Sequence, residues 1–269
     1  MSVRVYTGPR AARRRGGGGS WRALPWVLAL LTIGAQIAWP LTSGQTRDVL
    51  TAATVVLFFL TSASHAVIVR GWLWALGWFV ASAGVGFGAE VLGTRTGLPF
   101  GEYVYDDRLG PMVLGVPAVI PLAWAMMSYP ALLAARRLAR GPLLTPVVGA
   151  IALASWDLFL DPQMVGEGHW TWQAGGPELP GIAGIPAQNF VGWVLVSFVL
   201  MLVLDRLPRR RTDGGEGDGV PALMYLWTYV SSVILNAVFE QRAGVAIWGG
   251  VVMGLVAIPY AWSLWAGRD

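Results

Sequence analysis

Residues 71–105 read GWLWALGWFVASAGVGFGAEVLGTRTGLPFGEYVY. From Gly71 to Ala89 there is no charged residue, and Glu90 closes the run. A run of about 20 apolar residues is what crossing a bilayer requires. The stretch therefore predicts a membrane-crossing helix that carries one acid near its end. Gly101 and an alternating pair of rings, Tyr103 and Tyr105, follow. The same order returns 67 residues later, as Asp157, Gly168, Trp170 and Trp172. A Val116-Pro117 or Ile185-Pro186 step then opens the next apolar segment, and Trp124 and Trp193 follow, at an offset of 69.

The rest of the chain has the same character. Of 269 residues, 55% are hydrophobic and 13% are charged, with a mean hydropathy of +0.56. Soluble domains carry about 25% charged residues, so the deficit predicts a membrane protein. Eight apolar spans are expected, at 21–41, 48–69, 71–93, 113–136, 143–161, 187–206, 221–240 and 244–266. The fold class is an all-α, polytopic transmembrane helical bundle of about eight helices. It contains two parallel helix–outer loop–helix repeats, at about 71–136 and 143–206, within one domain of residues 21–269. Residues 1–20, with four arginines close together and a run of glycines, read as a disordered basic cytoplasmic tail. There is no cysteine, which excludes disulfides and thiolate chemistry. Most of the 15 tryptophans read as anchors at the membrane interface.

Orientation follows from the arginines, since no lysine occurs. With both termini in the cytoplasm, Arg47, Arg95, Arg108 and Arg242 fall outside, and the remainder of the 19 basic residues fall inside. This predicts a multi-pass protein of the cell (plasma) membrane in which both acid-then-aromatics units face outward. The net charge of +4 reports this topology and does not imply nucleic-acid binding. Gly84 with Gly88 and Gly250 with Gly254 are expected to allow close helix packing, and Pro121, Pro130, Pro146 and Pro259 to kink their helices.

Acids within a membrane span are functional candidates by default. Glu90, Asp157, Asp161 and Glu240 qualify. Asp157 and Asp161 are four apart and share a helical face, as do Asn236 and Glu240. Asn189 enters the sixth span just after the second loop. All six are expected near the outer leaflet, where they converge on one pocket, or stand singly as solvated or structural groups. Tyr103, Tyr105, Trp170 and Trp172 form two aromatic walls if their segments are extended, or a belt at the headgroups. The two histidines, His65 and His169, are expected at opposite membrane faces and share no ion. No metal site and no cofactor is expected.

The stretches Gly88-Ala89-Glu90, Gly97 to Tyr105 and Gly115-Val116-Pro117 resemble the carotenoid biosynthesis family of integral membrane proteins. Trp156-Asp157, Asp161-Pro162, Trp170-Thr171-Trp172 and Gly184 to Trp193 are similar to the family's second block. The resemblance covers roughly residues 50–265. It implies a carotenoid or other polyene substrate and a carotenoid 1,2-hydratase type of reaction, with membrane lipid and other carotenoid-pathway enzymes as partners. Hydration of a terminal trisubstituted alkene needs an acid able to give a tertiary cation, rings to stabilise it and a base for the water. A carboxylic acid in apolar surroundings keeps its proton to higher pH than one in water. Asp157 or Glu90 is then the acid and the other the base, and the residues do not choose between them. Asp161, Asn189 and Glu240 support them, and Tyr103, Tyr105, Trp170, Trp172 and Asn236 bind substrate. A cyclase, a magnesium-dependent prenyltransferase, and a carotenoid-binding protein or transporter are the other readings.

Overall fold

The computed structural model describes residues 19–173, 175–209 and 216–267. The expected basic tail lies outside these residues, apart from 19 and 20, which open the first helix. Eight α-helices follow in order: α1 (Gly19–Ala38), α2 (Gly44–Arg70), α3 (Trp72–Thr96), α4 (Ile120–Leu138), α5 (Leu144–Gly166), α6 (Ala187–Leu204), α7 (Gly219–Ile234) and α8 (Ala243–Ala266). A 3-10 turn extends α1 to Leu41, and a π-helical turn, Leu235–Phe239, extends α7. Seven of the eight are long and apolar enough to cross a membrane, which makes this a multi-pass membrane protein.

The eighth, α4, shows why composition alone misjudges a central helix. It is buried without a break from Ala123 to Arg136. Protein rather than lipid surrounds it, so it tolerates Ser128, Tyr129 and two arginines. α4 also starts later than expected, because residues 112–117 form a hairpin of β2 (Met112–Val113) and β3 (Val116–Pro117). α5 runs past the expected stop at 161 to Gly166. α2 and α3 are separate helices. They part at Gly71, whose φ of +92° lies where side chains are strained and glycine is not.

Some local expectations change. Pro130 and Pro259 lie inside helices, but Pro121 and Pro146 fall in first turns, where a missing N–H costs nothing. Nothing packs where a side chain on Gly84 or Gly88 would stand; the close approach is at Gly86, where a Cβ would overlap the Trp124 indole. Gly250 and Gly254 do sit close to α7, beside Val233 and Tyr229.

At the centre, α3 packs on α4 and α6, and α5 packs on the same two helices. Trp124 of α4 and Trp193 of α6 stack between them, with centroids 4.1 Å apart and planes 9° apart. The long connections 97–119 and 167–186 lie at one end of the bundle, joined by a two-stranded ladder of β1 (Tyr103–Tyr105) and β4 (Trp170–Trp172). The start of α2 reaches the same end, since Arg47 bonds Glu167 at 2.7 Å.

Charged groups also tie the opposite end. Arg70 Nη2 donates to both Asp218 oxygens at 2.8 Å, and its Nη1 donates to Tyr129 Oη at 2.6 Å. His65 Nδ1 lies 2.8 Å from the same hydroxyl. Arg136 Nη2 donates to the Leu207 carbonyl at 2.8 Å. The Arg70–Asp218 pair is almost wholly buried, and removing one member of a buried pair leaves an uncompensated charge. Asp218→Leu is therefore expected to destabilise the protein by about 3–5 kcal/mol, read by chemical unfolding in detergent micelles. A loss below about 1 kcal/mol would contradict a structural role for this pair.

Candidate active site

The ladder brings the two loops together over the acids. β1 and β4 run antiparallel, with Tyr103 opposite Trp172, Val104 opposite Thr171 and Tyr105 opposite Trp170. The register is reciprocal: Val104 and Thr171, 67 positions apart, meet at its centre. Backbone bonds extend it on both sides, from Asp106 N to His169 O at 2.8 Å and from Gln173 N to Glu102 O at 2.7 Å. Strand alternation turns Val104 and Thr171 outward and all four rings toward the bundle, with Tyr103 and Trp170 buried. Ring centroids lie 5.6 Å apart for Tyr103 and Trp172, and 5.4 Å for Tyr105 and Trp170.

Beneath the ladder, α3 presents Glu90, which receives three hydrogen bonds. Tyr103 and Tyr105 donate their hydroxyls to Oε2 at 2.5 and 2.7 Å, and Trp124 donates Nε1 to Oε1 at 2.9 Å. Trp124 reaches this position because Gly86, one turn before Glu90, leaves space for its ring. Burial, and then the adjacent Glu90 carboxyl, hold both phenols well above their ordinary range.

α5 presents the other acids on one face. Asn189, in the first turn of α6, donates through Nδ2 to Asp157 Oδ2 at 2.9 Å and to Asp161 Oδ2. Trp170 donates Nε1 to Asp161 Oδ1 at 3.1 Å. Asn189 Nδ2 thus bridges the two carboxyls, which stand one turn apart on α5. Asp157 is fully buried, and its Oδ1 receives no hydrogen bond from any other described group.

Two cavities meet here. The smaller, of about 30 Å³, is bordered by Glu90, Asp161 and Asn189 and by the rings of the ladder, Trp124 and Trp193. That volume holds one or two water molecules. A larger cavity of about 250 Å³, with mostly apolar walls, lies beside it. The two share Ile120, Ala123, Leu160 and Trp170 as common wall.

The structure thus brings Glu90, Asp157, Asp161, Asn189 and the four loop rings together. It does not bring Asn236 and Glu240 with them. Glu240 pairs with Arg242 at 3.1 Å, and Asn236 donates to the Ser232 carbonyl at 3.0 Å; neither borders either cavity. The sixteen-residue α7 gives way to a π turn just before Asn236, so positions 236 and 240 leave the face that an unbroken helix would give them. Asp161 borders the small cavity, whereas Asp157 lies about one turn deeper, behind it. Trp124 and Trp193 were not among the expected site residues, although their shared place in the two units is a sequence signal. Among the described residues, no group of three or more His, Cys, Asp or Glu is placed to hold a metal ion.

A charged layer covers the ladder. Arg108 donates to Asp106 at 2.9 Å and to the Glu167 carbonyl at 2.7 Å, and lies 3.4 Å from Asp48. His169, fully buried, stands 3.5 Å from Asp48. Burial pushes its imidazole below the usual value, against the pull of Asp48.

A membrane bundle that buries three carboxyls under an aromatic ladder defines a class: a polytopic protein with a polar site at the edge of an apolar layer. The comparisons with known proteins agree. Residues 49–259 match the family described as carotenoid biosynthesis protein, and the chain belongs to that family. The bisanhydrobacterioruberin hydratase of Haloarcula japonica is 35% identical over 196 residues, covering 68% of this chain and 60% of that protein. The chain therefore matches less than two thirds of that relative's length. No solved structure is similar to it.

The raised phenols give a direct test of the Glu90 arrangement. Tyr103 and Tyr105 are expected to stay protonated at pH 11, so the Tyr103→Phe, Tyr105→Phe double variant should lose no tyrosinate absorbance at that pH. Loss of the absorbance of two phenolates would contradict the buried arrangement.

Proposed function

We propose that this protein is a carotenoid hydratase. It adds water across the terminal trisubstituted double bond of an acyclic carotenoid or similar polyene. The observation that carries this reading is the buried Asp157–Asp161 pair, with one oxygen that no other described group bonds, beside a cavity of about 30 Å³. Two buried carboxyls bridged by one amide favour a shared proton over two like charges side by side. A proton so held is available to an alkene. The family and the name of the relative support the same chemistry.

In this reading Asp161, which borders the cavity, protonates the less substituted alkene carbon and leaves a tertiary cation. Asp157 and Asn189 position Asp161, and the Asp157 carboxyl lies ready to reprotonate it. The faces of Trp170, Trp172, Trp124 and Trp193 surround the cavity and stabilise positive charge. A water in the cavity attacks the cation, and its proton passes to Glu90, which Tyr103 and Tyr105 fix in place. That proton returns to the aspartate pair across the same small cavity. The net change is one water added, with no redox step. A cyclase would use the same acid and rings, but space for one or two waters between Glu90, Asp161 and Asn189 favours hydration.

The reading places the protein in the cell membrane, with both termini cytoplasmic and the ladder outward; the arginine distribution supports this orientation. Its substrate arrives from membrane lipid, and other carotenoid-pathway enzymes are its natural neighbours.

Expression in a host that accumulates lycopene or a longer acyclic precursor is expected to give a product heavier by one water. Asp161→Asn and Asp157→Asn should each lower its formation by about 100-fold or more, with helical content and gel-filtration behaviour retained. An unchanged pigment profile with every acyclic precursor would overturn the hydratase reading. Full turnover in both variants would remove the aspartate pair from the mechanism.

A further inference from the structure

The larger cavity has an opening that the catalytic reading does not use. Three of its lining residues are also among the exposed apolar side chains of the protein: Ile37 at 54%, Ile234 at 47% and Phe239 at 52%. Ile37 belongs to α1, and the other two belong to α7 and its π turn. Their double role, inner wall and outer surface, makes them the rim of a mouth between α1 and α7. The rim lies toward the ends of two apolar spans, Trp21–Leu41 and Gly219–Phe239, and its exposed side chains are apolar. A bond from Trp227 Nε1 to Gln36 Oε1, at 2.7 Å, crosses from α7 to α1, and both residues line the cavity.

From that rim the cavity runs inward to Ile120, Ala123, Leu160 and Trp170, which also border the small cavity beside Glu90, Asp161 and Asn189. An apolar cavity thus reaches from the rim to a wall that it shares with the cavity of the acids. Its volume of about 250 Å³ is below the roughly 300–1,000 Å³ that enclose a drug-sized ligand. A long chain cannot be swallowed whole. The π turn adds to the case, because such turns are frequent at functional sites, and here it supplies Leu235 and Phe239 to the wall.

We infer that this cavity is an end-on binding site for an acyclic isoprenoid chain, entered sideways from the bilayer between α1 and the π-helical end of α7. The chain end lies against Trp170 beside Asp161, and the remainder of the polyene stays in lipid. Gln36 and Trp227 bridge the mouth and part as the chain enters. The inference rests on the hydratase reading for the identity of the chain, but the entry route is separable from the chemistry.

The test exploits a chain that has no cysteine. Gln36→Cys with Trp227→Cys allows a short bis-methanethiosulfonate reagent to tie α1 to α7, and a reductant releases it. Purified protein in detergent is mixed with lycopene, and the pigment that co-elutes in gel filtration is measured over time. The tied form is expected to load at least tenfold more slowly than the same protein after reduction. Equal loading in the two forms overturns the portal, as does retention of phospholipid alone, with no pigment, in the reduced form. Should the cysteine pair not fold, Ile37→Trp at the rim is expected to slow loading by a similar factor, and unchanged loading counts against the route. Gated loading without turnover in any form would sink the hydratase reading and leave the portal. Turnover with ungated loading would do the reverse.

Discussion

A carboxyl group carried into the apolar layer of a membrane must find hydrogen-bond donors or remain a large penalty. Much of the ladder end of this protein answers that requirement. Glu90 draws Tyr103 and Tyr105 down from one loop and Trp124 across from α4. Asp161 draws Trp170 from the other loop, and Asn189 spans both aspartates. These bonds need β1 and β4 to lie side by side, since the donors come from both strands. The ladder, the seating of α6 against α5 and the glycine at position 86 follow from the same need.

The two loops satisfy their acids unequally, and function enters through that difference. Both oxygens of Glu90 are engaged by three donors from two loop tyrosines and one tryptophan. On the other side the carboxyls are doubled, yet among the described residues Trp170 and Asn189 supply the donors and Asp157 Oδ1 has none. Glu90 is anchored by its three bonds, and its Oε1, with a single donor, keeps a lone pair for the proton of water. A pair with a deficit of donors suits sharing and giving up a proton. Placing both around space for a water, at the head of an apolar cavity, joins the requirements of hydration in one small volume.

Much of this was legible in the residues. The run from Gly71 to Glu90 and its counterpart ending in the two aspartates gave the spans, the acids and the side on which the loops meet. Alternation in Tyr103-Val104-Tyr105 and Trp170-Thr171-Trp172 indicated that the two rings of each loop share a side, but not that this side faces the bundle rather than the headgroups. The pairing of the strands was not legible, because two three-residue segments carry no register signal of their own. The relative depth of Asp157 and Asp161 also escaped, since a shared helical face does not say which residue meets the cavity. Glu240 and Asn236 followed an α-helical count that the π turn interrupts. Gly86, and not Gly84 or Gly88, proved to be the close contact because its neighbour is a tryptophan from another helix, which spacing cannot reveal.

The claim on which the account stands is that these carboxyls deliver a proton to carbon and a water to the resulting cation. Reaction of an acyclic carotenoid in water doubly labelled with deuterium and oxygen-18, followed by mass spectrometry, reads both events at once. The account predicts a product with one oxygen-18 and one carbon-bound deuterium. An isomer that carries deuterium but no oxygen-18 would contradict it and assign the acid pair to cyclisation instead.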